Sequence, residues 1–269
     1  MSSIVQDDVN LGIEQFCQAW RLMCNGASGK HIARREGVEY VFSGLPIPFF
    51  NLALPTVRRM SPDDLKSRGR EACAWASDKG VPWMFVLTQE ALDPDIDATA
   101  LLDDCQLAPV MPLTGMLMEQ ATPPTKTPSD LQLSVPHDDA GCLAILDINA
   151  AAYGMDFAAA NDLIGSSSFW TNHVPVVGTV DGTAVVTASV LMTEGCRYVA
   201  LVATDPSQQR RGFADAAMRR ALELAAAKYG DHPSVLHATE AGRPIYERMG
   251  YRPISNHTVY MEKRFLTEH

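Results

Sequence analysis

Ser207 to Gly230 reads SQQRRGFADAAMRRALELAAAKYG: two arginines, a glycine, then an alanine-rich helix. The first turn of a helix leaves its backbone N–H groups unpaired, and the helix dipole adds positive potential there. A glycine at that point has no Cβ, so a ligand can approach the backbone closely. Gln209, Arg210, Arg211, Gly212, Phe213 and Ala214 therefore have the types and spacing of an anion site at a helix start. A solvated helix start is the alternative reading of the same letters. About thirty residues on, Thr239 to Tyr251 reads TEAGRPIYERMGY, a short helix carrying the phenol of Tyr246 and closed by Gly250. A phenol stays protonated at neutral pH and can donate to a leaving group, with its ordinary pKa near ~10. On that value, turnover that depends on Tyr246 should decline at high pH.

Gln209 to Ala214 fits Q-x-x-G-x-A, and TEAGRPIYERMGY follows at a suitable distance. Together they resemble the two signatures of the GCN5-related N-acetyltransferase (GNAT) superfamily, over roughly Leu131 to Phe265. The resemblance implies an acetyl-CoA-dependent N-acetyltransferase in which an amine attacks the thioester directly. It implies that backbone amides from Gln209 to Ala214 hold the pyrophosphate. Val202, Ala203 and Thr204 would pair with the pantetheine arm like an added strand, and the Val202 N–H or a neighbour would face the oxyanion. Tyr246 would protonate the departing thiolate, its alternative being a core tyrosine under the last strands. Many members carry asparagine where this chain has Thr239, whose hydroxyl can still form a hydrogen bond. For the base, Glu194 is the first candidate, followed by Asp205, Glu240, His173 and His237. Tyr153, Met155, Phe169 and Trp170 stand where acceptor pockets are often lined. A non-catalytic acyl-CoA-binding or regulatory protein is the alternative, as is an acyltransferase with another donor or acceptor.

These motifs need strands and helices to hold them. Glu119 to Asp130, EQATPPTKTPSD, has three prolines and no hydrophobic period, which is a linker composition. It suggests domains at 1–120 and 131–269, joined by 121–130. In the first, Ile13, Phe16, Cys17, Trp20 and Cys24 recur at helical spacing, and Ser61-Pro62-Asp63-Asp64 is a strong helix start. Val38–Leu54, Trp83–Leu87 and Val110–Met118 read as strands. In the second, Asp138–Ala152 reads as a helix, and Asp181-Gly182 as the turn of a hairpin over 174–192. Tyr198–Ala203 reads as a central strand, and Thr258–Glu262 as the last one.

Leu102 to Glu119 and Tyr246 to Glu262 share an order of helix end, apolar residue, proline and strand ending Met-Glu. This suggests a duplication. The expected fold class is α/β (α+β), with two GNAT-like domains, each a mixed, mostly antiparallel central sheet flanked by helices. The first copy has Ser61–Leu65 in place of the loop and Leu102 at the tyrosine position, so it reads as degenerate.

The chain has 269 residues and a formal net charge of −10. That acidity argues against general nucleic-acid binding. No apolar run reaches the ~18 residues of a membrane span, and the N-terminus lacks a signal-peptide pattern, which makes the cytoplasm the expected compartment. The six cysteines form no C-x-x-C pair and read as buried thiols, with no metal site expected. The expected partners are acetyl-CoA and a small-molecule or peptide amine, with no nucleic acid and no membrane. A homodimer is compatible with the sequence.

Overall fold

A computed structural model describes residues 5–124, 128–166 and 168–266. In chain order the elements begin α1 (Gln6–Cys24), β1 (His31–Arg35), β2 (Val38–Phe42), β3 (Asn51–Pro55), α2 (Pro62–Ser77) and β4 (Met84–Thr88). Next come α3 (Ala98–Asp103), β5 (Leu107–Met118), β6 (Gln132–Ser134), α4 (Asp139–Tyr153), α5 (Phe157–Asn161) and β7 (His173–Val180). The chain continues through β8 (Thr183–Thr193), β9 (Cys196–Thr204), α6 (Phe213–Tyr229), β10 (Ser234–Ala238), α7 (Arg243–Met249) and β11 (Arg252–Glu262).

The chain divides into two compact units, and the division is not sequential. The first takes the chain up to Met116, His237–Arg243 and the chain from Pro253, while the second takes Leu117–Leu236 and Pro244–Arg252. The expected boundary at 121–130 therefore differs from the observed one. Residues 125–127 lie outside the described residues, and the rest of that segment belongs to the second unit. It is not a free tether. The Thr122 backbone N–H donates to the Met249 carbonyl at 2.9 Å and its hydroxyl to the Arg248 carbonyl at 2.6 Å. Those carbonyls are left unpaired by the end of α7, so the proline-rich segment serves as a cap.

In the first unit the strands follow the order β1-β2-β3-β4-β11-β5. β1, β2 and β3 are antiparallel, β3 and β4 parallel, and β4 and β11 antiparallel, with Val259 opposite Val86 and Tyr260 opposite Phe85. Val259 and Tyr260 are buried, and Tyr260 joins the core cluster formed by Tyr40, Phe42, Trp83, Phe85 and Leu87. β11 begins at Arg252, six residues before the expected strand, and carries Pro253 at its second position. β1 was not expected at all: its exposed, charged residues carry no hydrophobic alternation.

α2 starts as its sequence predicts. The Asp64 N–H donates to Ser61 Oγ and the Ser61 N–H to Asp64 Oδ2, a complete capping box with Pro62 at the first helical position. Two donors of this helix start, the Ser61 and Asp64 N–H groups, are used by its own residues.

The second unit orders its strands β10-β9-β8-β7-β6. β6 to β9 are antiparallel, with Asp181 and Gly182 both at positive φ in the hairpin turn, and β9 and β10 are parallel. α6 joins β9 to β10 and packs on β7, β8 and β9 through the buried Ala217, Met218, Ala221 and Ala225. Each unit thus repeats one order: antiparallel strands, then a parallel pair joined by a helix. All six cysteines are free thiols, five of them buried. Among the described residues no helix is long and apolar enough to cross a membrane.

A chain ending at residue 120 should fail to fold, because it lacks the strand between β4 and β5. Circular dichroism should show no cooperative melt, and a peptide of residues 252–266 added in trans should restore one. A cooperative melt from residues 1–120 alone would contradict the placement of β11.

Candidate active site

β9 carries a break in its ladder. Thr187 of β8 faces Ala203, whereas Ser189 faces Ala200, so two steps of β8 span three of β9. The extra residue is a β-bulge. Leu201 within it has φ +53, a left-handed backbone that is strained for a bulky side chain. On its other side β9 pairs with β10 at Ser234↔Arg197 and Val235↔Tyr198, and among the described residues the pairing goes no further. Val202, Ala203 and Thr204 therefore present backbone at an open edge, the setting in which an extended ligand can add as a strand.

The same strand feeds the loop. After a short turn at Pro206–Gln208, Arg210 has φ +63 and Gly212 has φ +85. Left-handed residues at this spacing help build backbone nests that bind anions. Gly212 is the N-cap of α6, with no side-chain cap. Its carbonyl accepts from the Ala216 N–H at 3.1 Å, so the earlier N–H groups of the helix face out of it. A Cβ at Gly212 would meet only Pro128 Cγ at 3.7 Å, so glycine is required here by its φ and not by crowding. Arg211 is engaged by Gln208 Oε1 and Asp130 Oδ2, and its guanidinium lies 4.6 Å from the centre of the buried Phe213 ring. Gln209 and Arg210 are exposed, and Ala214 is half-buried.

Tyr246 belongs to the second unit along with this loop. Its ring centroid is 6.0 Å from that of Tyr251, whose hydroxyl is 2.6 Å from Ser234 Oγ. Desolvation by burial pushes the Tyr246 pKa far above the ordinary phenol value, and the Tyr153 and Tyr251 phenols add to the rise. The expected high-pH decline from a phenol near 10 is thereby corrected: this phenol stays protonated well beyond that. Tyr153 ends α4, just before the left-handed Gly154, and its hydroxyl donates to the Val202 carbonyl. The residue is half exposed, and desolvation pushes its phenol pKa up to about 12. Sequence reasoning placed Tyr153 among acceptor-lining residues. Its bond to the very strand that presents Val202 has no sequence signal beyond its place before a helix-ending glycine.

The other candidates are scattered. Glu194 lies exposed in the turn between β8 and β9. Even from Cys196, Val202 is six residues along an extended strand, roughly 20 Å away. The structure does not bring Glu194 to this end of β9. Asp205 is at this end, but its Oδ1 accepts from the Ser207 N–H and hydroxyl, which holds its pKa down. Glu240 is exposed beyond β10. Thr239 caps the turn before α7, its Oγ1 accepting from the Gly242 N–H at 3.2 Å. His173 is buried against Phe169 and Trp170, and burial pushes its pKa down to about 3. Phe169 and Trp170 are therefore core in this unit, and Met155 is half-buried. His237 packs against Phe16 and His257 in the first unit, with its pKa held well below the usual value by burial. A cavity of about 810 Å³ in the second unit runs along α6 from Asp215 to Glu223 and reaches Arg197. It includes neither Val202–Thr204 nor Tyr246.

Residues 176–254 match the family described as "Acetyltransferase (GNAT) domain". No curated protein matches the chain. Among solved structures, a GCN5-related N-acetyltransferase from Kribbella flavida is similar at 18% identity, over 91% of this chain and 95% of that one, with a TM-score of 0.66. A GCN5-related N-acetyltransferase from Sphaerobacter thermophilus aligns at 13% identity over 84% and 76%, with a TM-score of 0.61. A tandem GNAT protein from the clavulanic acid biosynthesis pathway aligns over 97% of both chains at 10% identity, with a TM-score of 0.57. These likenesses establish a shared fold, a mixed and mostly antiparallel sheet flanked by helices.

Ultraviolet titration of the folded protein should show Tyr246 silent between about pH 9 and 11, where an ordinary phenol ionises. Tyr246→Phe should leave the number of phenols titrating in that window unchanged. Loss of one titrating phenol would show that Tyr246 is not desolvated.

Proposed function

We propose that the second unit is an acetyl-CoA-dependent N-acetyltransferase that passes the acetyl group to the amine of a small molecule or peptide by direct attack. The observation that carries this is the uncapped start of α6 at Gly212, reached directly from the open end of β9. Bound acetyl-CoA would supply a thioester whose acyl carbon the amine attacks.

Each part of the chain has a task in this reading. The N–H groups from Gln209 to Ala214 hold the pyrophosphate, with the helix dipole behind them. Arg210 adds charge at the mouth. Arg211 is tied to Asp130 and braces the loop. Val202, Ala203 and Thr204 pair with the pantetheine arm along the open edge. The bulge at Leu201 turns the backbone at the point where a carbonyl oxygen gaining charge needs a donor, and the Val202 N–H serves there. Tyr153 fixes that segment by its bond to the Val202 carbonyl, which has a second lone pair for a ligand N–H.

The new N–C bond forms as the C–S bond breaks. The amine loses a proton to water, and Tyr246 donates one to the thiolate. A desolvated phenol is a weak acid, but the thiolate is a good leaving group. The help it gives belongs at the low end of the ~10²–10⁴-fold range of general acids. The phenol is re-protonated from solvent after each turnover.

Gly212→Glu places a negative charge at the proposed pyrophosphate position, and Gly212→Gln carries the same φ strain without the charge. Calorimetry with acetyl-CoA should show binding by the wild type, weaker binding by the Gln variant and none by the folded Glu variant. Thiol release with a panel of amines should follow the same order. Equal affinity in all three would remove the loop from the site, and binding without thiol release for any amine would leave a binding protein instead of an enzyme.

A further inference from the structure

The first unit contains a polar cavity of about 340 Å³, with Cys17, Arg21, Arg34, Glu39, Thr56 and Arg58 in its walls. It is bounded by α1, by β1 and β2, and by the segment that leaves β3. Glu39 is 1% exposed, and Arg21 grips it with two bonds, one through Nε and one from Nη2 at 2.8 Å. The Arg21 side chain is 44% exposed, so only the carboxylate of this pair is enclosed. Its position beside an open cavity is the telling fact.

The charge left over is positive. With Arg21 and Glu39 satisfied by each other, Arg34 and Arg58 face one exposed carboxylate, Glu14, which accepts from Gln18 at 3.4 Å. Arg34 Nη2 donates to Thr56 Oγ1 at 3.1 Å, which holds the guanidinium in place and leaves its other N–H groups for a ligand. Two cationic side chains over a cavity stand out in a chain of net charge −10.

The place in the fold matters too. β3 precedes the crossover helix α2 as β9 precedes α6, so Thr56 and Arg58 leave the strand at the point where Asp205 leaves β9. There the first unit has closed its helix start with the Ser61–Asp64 box and kept a pocket lined with arginine. A volume of about 340 Å³ is at the lower end of ligand pockets, which suits a small molecule and not a coenzyme.

We propose that this cavity binds a small organic carboxylate, held by the guanidinium groups of Arg34 and Arg58, whose planar forks match a carboxylate. The Arg21–Glu39 pair forms the polar wall against which the rest of the molecule sits. Cys17 contributes a thiol whose pKa burial raises above its ordinary value.

The test uses calorimetry on the full-length protein at fixed ionic strength, with succinate, L-glutamate and inorganic phosphate as probes. Succinate or glutamate should bind saturably at one site, and phosphate should not match them. The variant carrying Arg34→Gln and Arg58→Gln should keep its melting temperature, since both side chains are exposed, and lose about tenfold or more in affinity, the weight of a charge-assisted hydrogen bond. Gly212→Glu should leave carboxylate binding unchanged, which separates this site from the acetyl-CoA reading. The proposal is overturned if neither carboxylate binds, if phosphate binds as well as they do, or if the double variant binds like the wild type.

Discussion

A helix cannot satisfy the N–H groups of its own first turn, and the two crossover helices of this chain meet that constraint in opposite ways. α2 turns inward on itself: Ser61 and Asp64 exchange hydrogen bonds, and Asp63 and Asp64 set negative charge against the dipole. α6 begins at a left-handed glycine with no side-chain cap, preceded by two arginines. The first arrangement excludes an anion and the second asks for one. The helices stand at the same place in a repeated order of strands, so the difference lies in a few residues and not in the architecture.

The strand before α6 is shaped to the same end. Its bulge and the left-handed Leu201 break the ladder with β8, and among the described residues its pairing with β10 stops after Tyr198. Strain of this kind persists when surrounding structure holds it, and here β8 and the Tyr153 hydroxyl do so. The proline-rich segment adds support. Asp130 ties Arg211, and Thr122 caps α7, the helix that carries Tyr246. What looks like a spacer in composition is part of the scaffold of the second unit.

Much of this was readable from residue types. The Ser61 cap, the Asp181-Gly182 hairpin, the alanine-rich helix after Gly212 and the strand–loop–helix order each rest on local physics, and the structure contains them. Other features depend on contacts distant in sequence. No local signal shows that β11 completes the sheet of the first unit, since the same apolar alternation would suit another sheet equally. β1 is an exposed edge and leaves no period to detect. Glu194 is a candidate for lying just before the central strand, but a hairpin turn puts it at the far end of β9. The Tyr246 phenol illustrates the same limit: its residue type suggests an acid near 10, and burial beside two other tyrosines moves it far higher.

Amide hydrogen exchange with and without saturating acetyl-CoA tests the central claim most directly, because it reads the N–H groups of both helix starts in one experiment. The predicted result is slowed exchange at residues 202–204 and 212–215, with residues 61–65 unchanged. Protection at 61–65, or none at 212–215 under conditions where the coenzyme is bound, would contradict it.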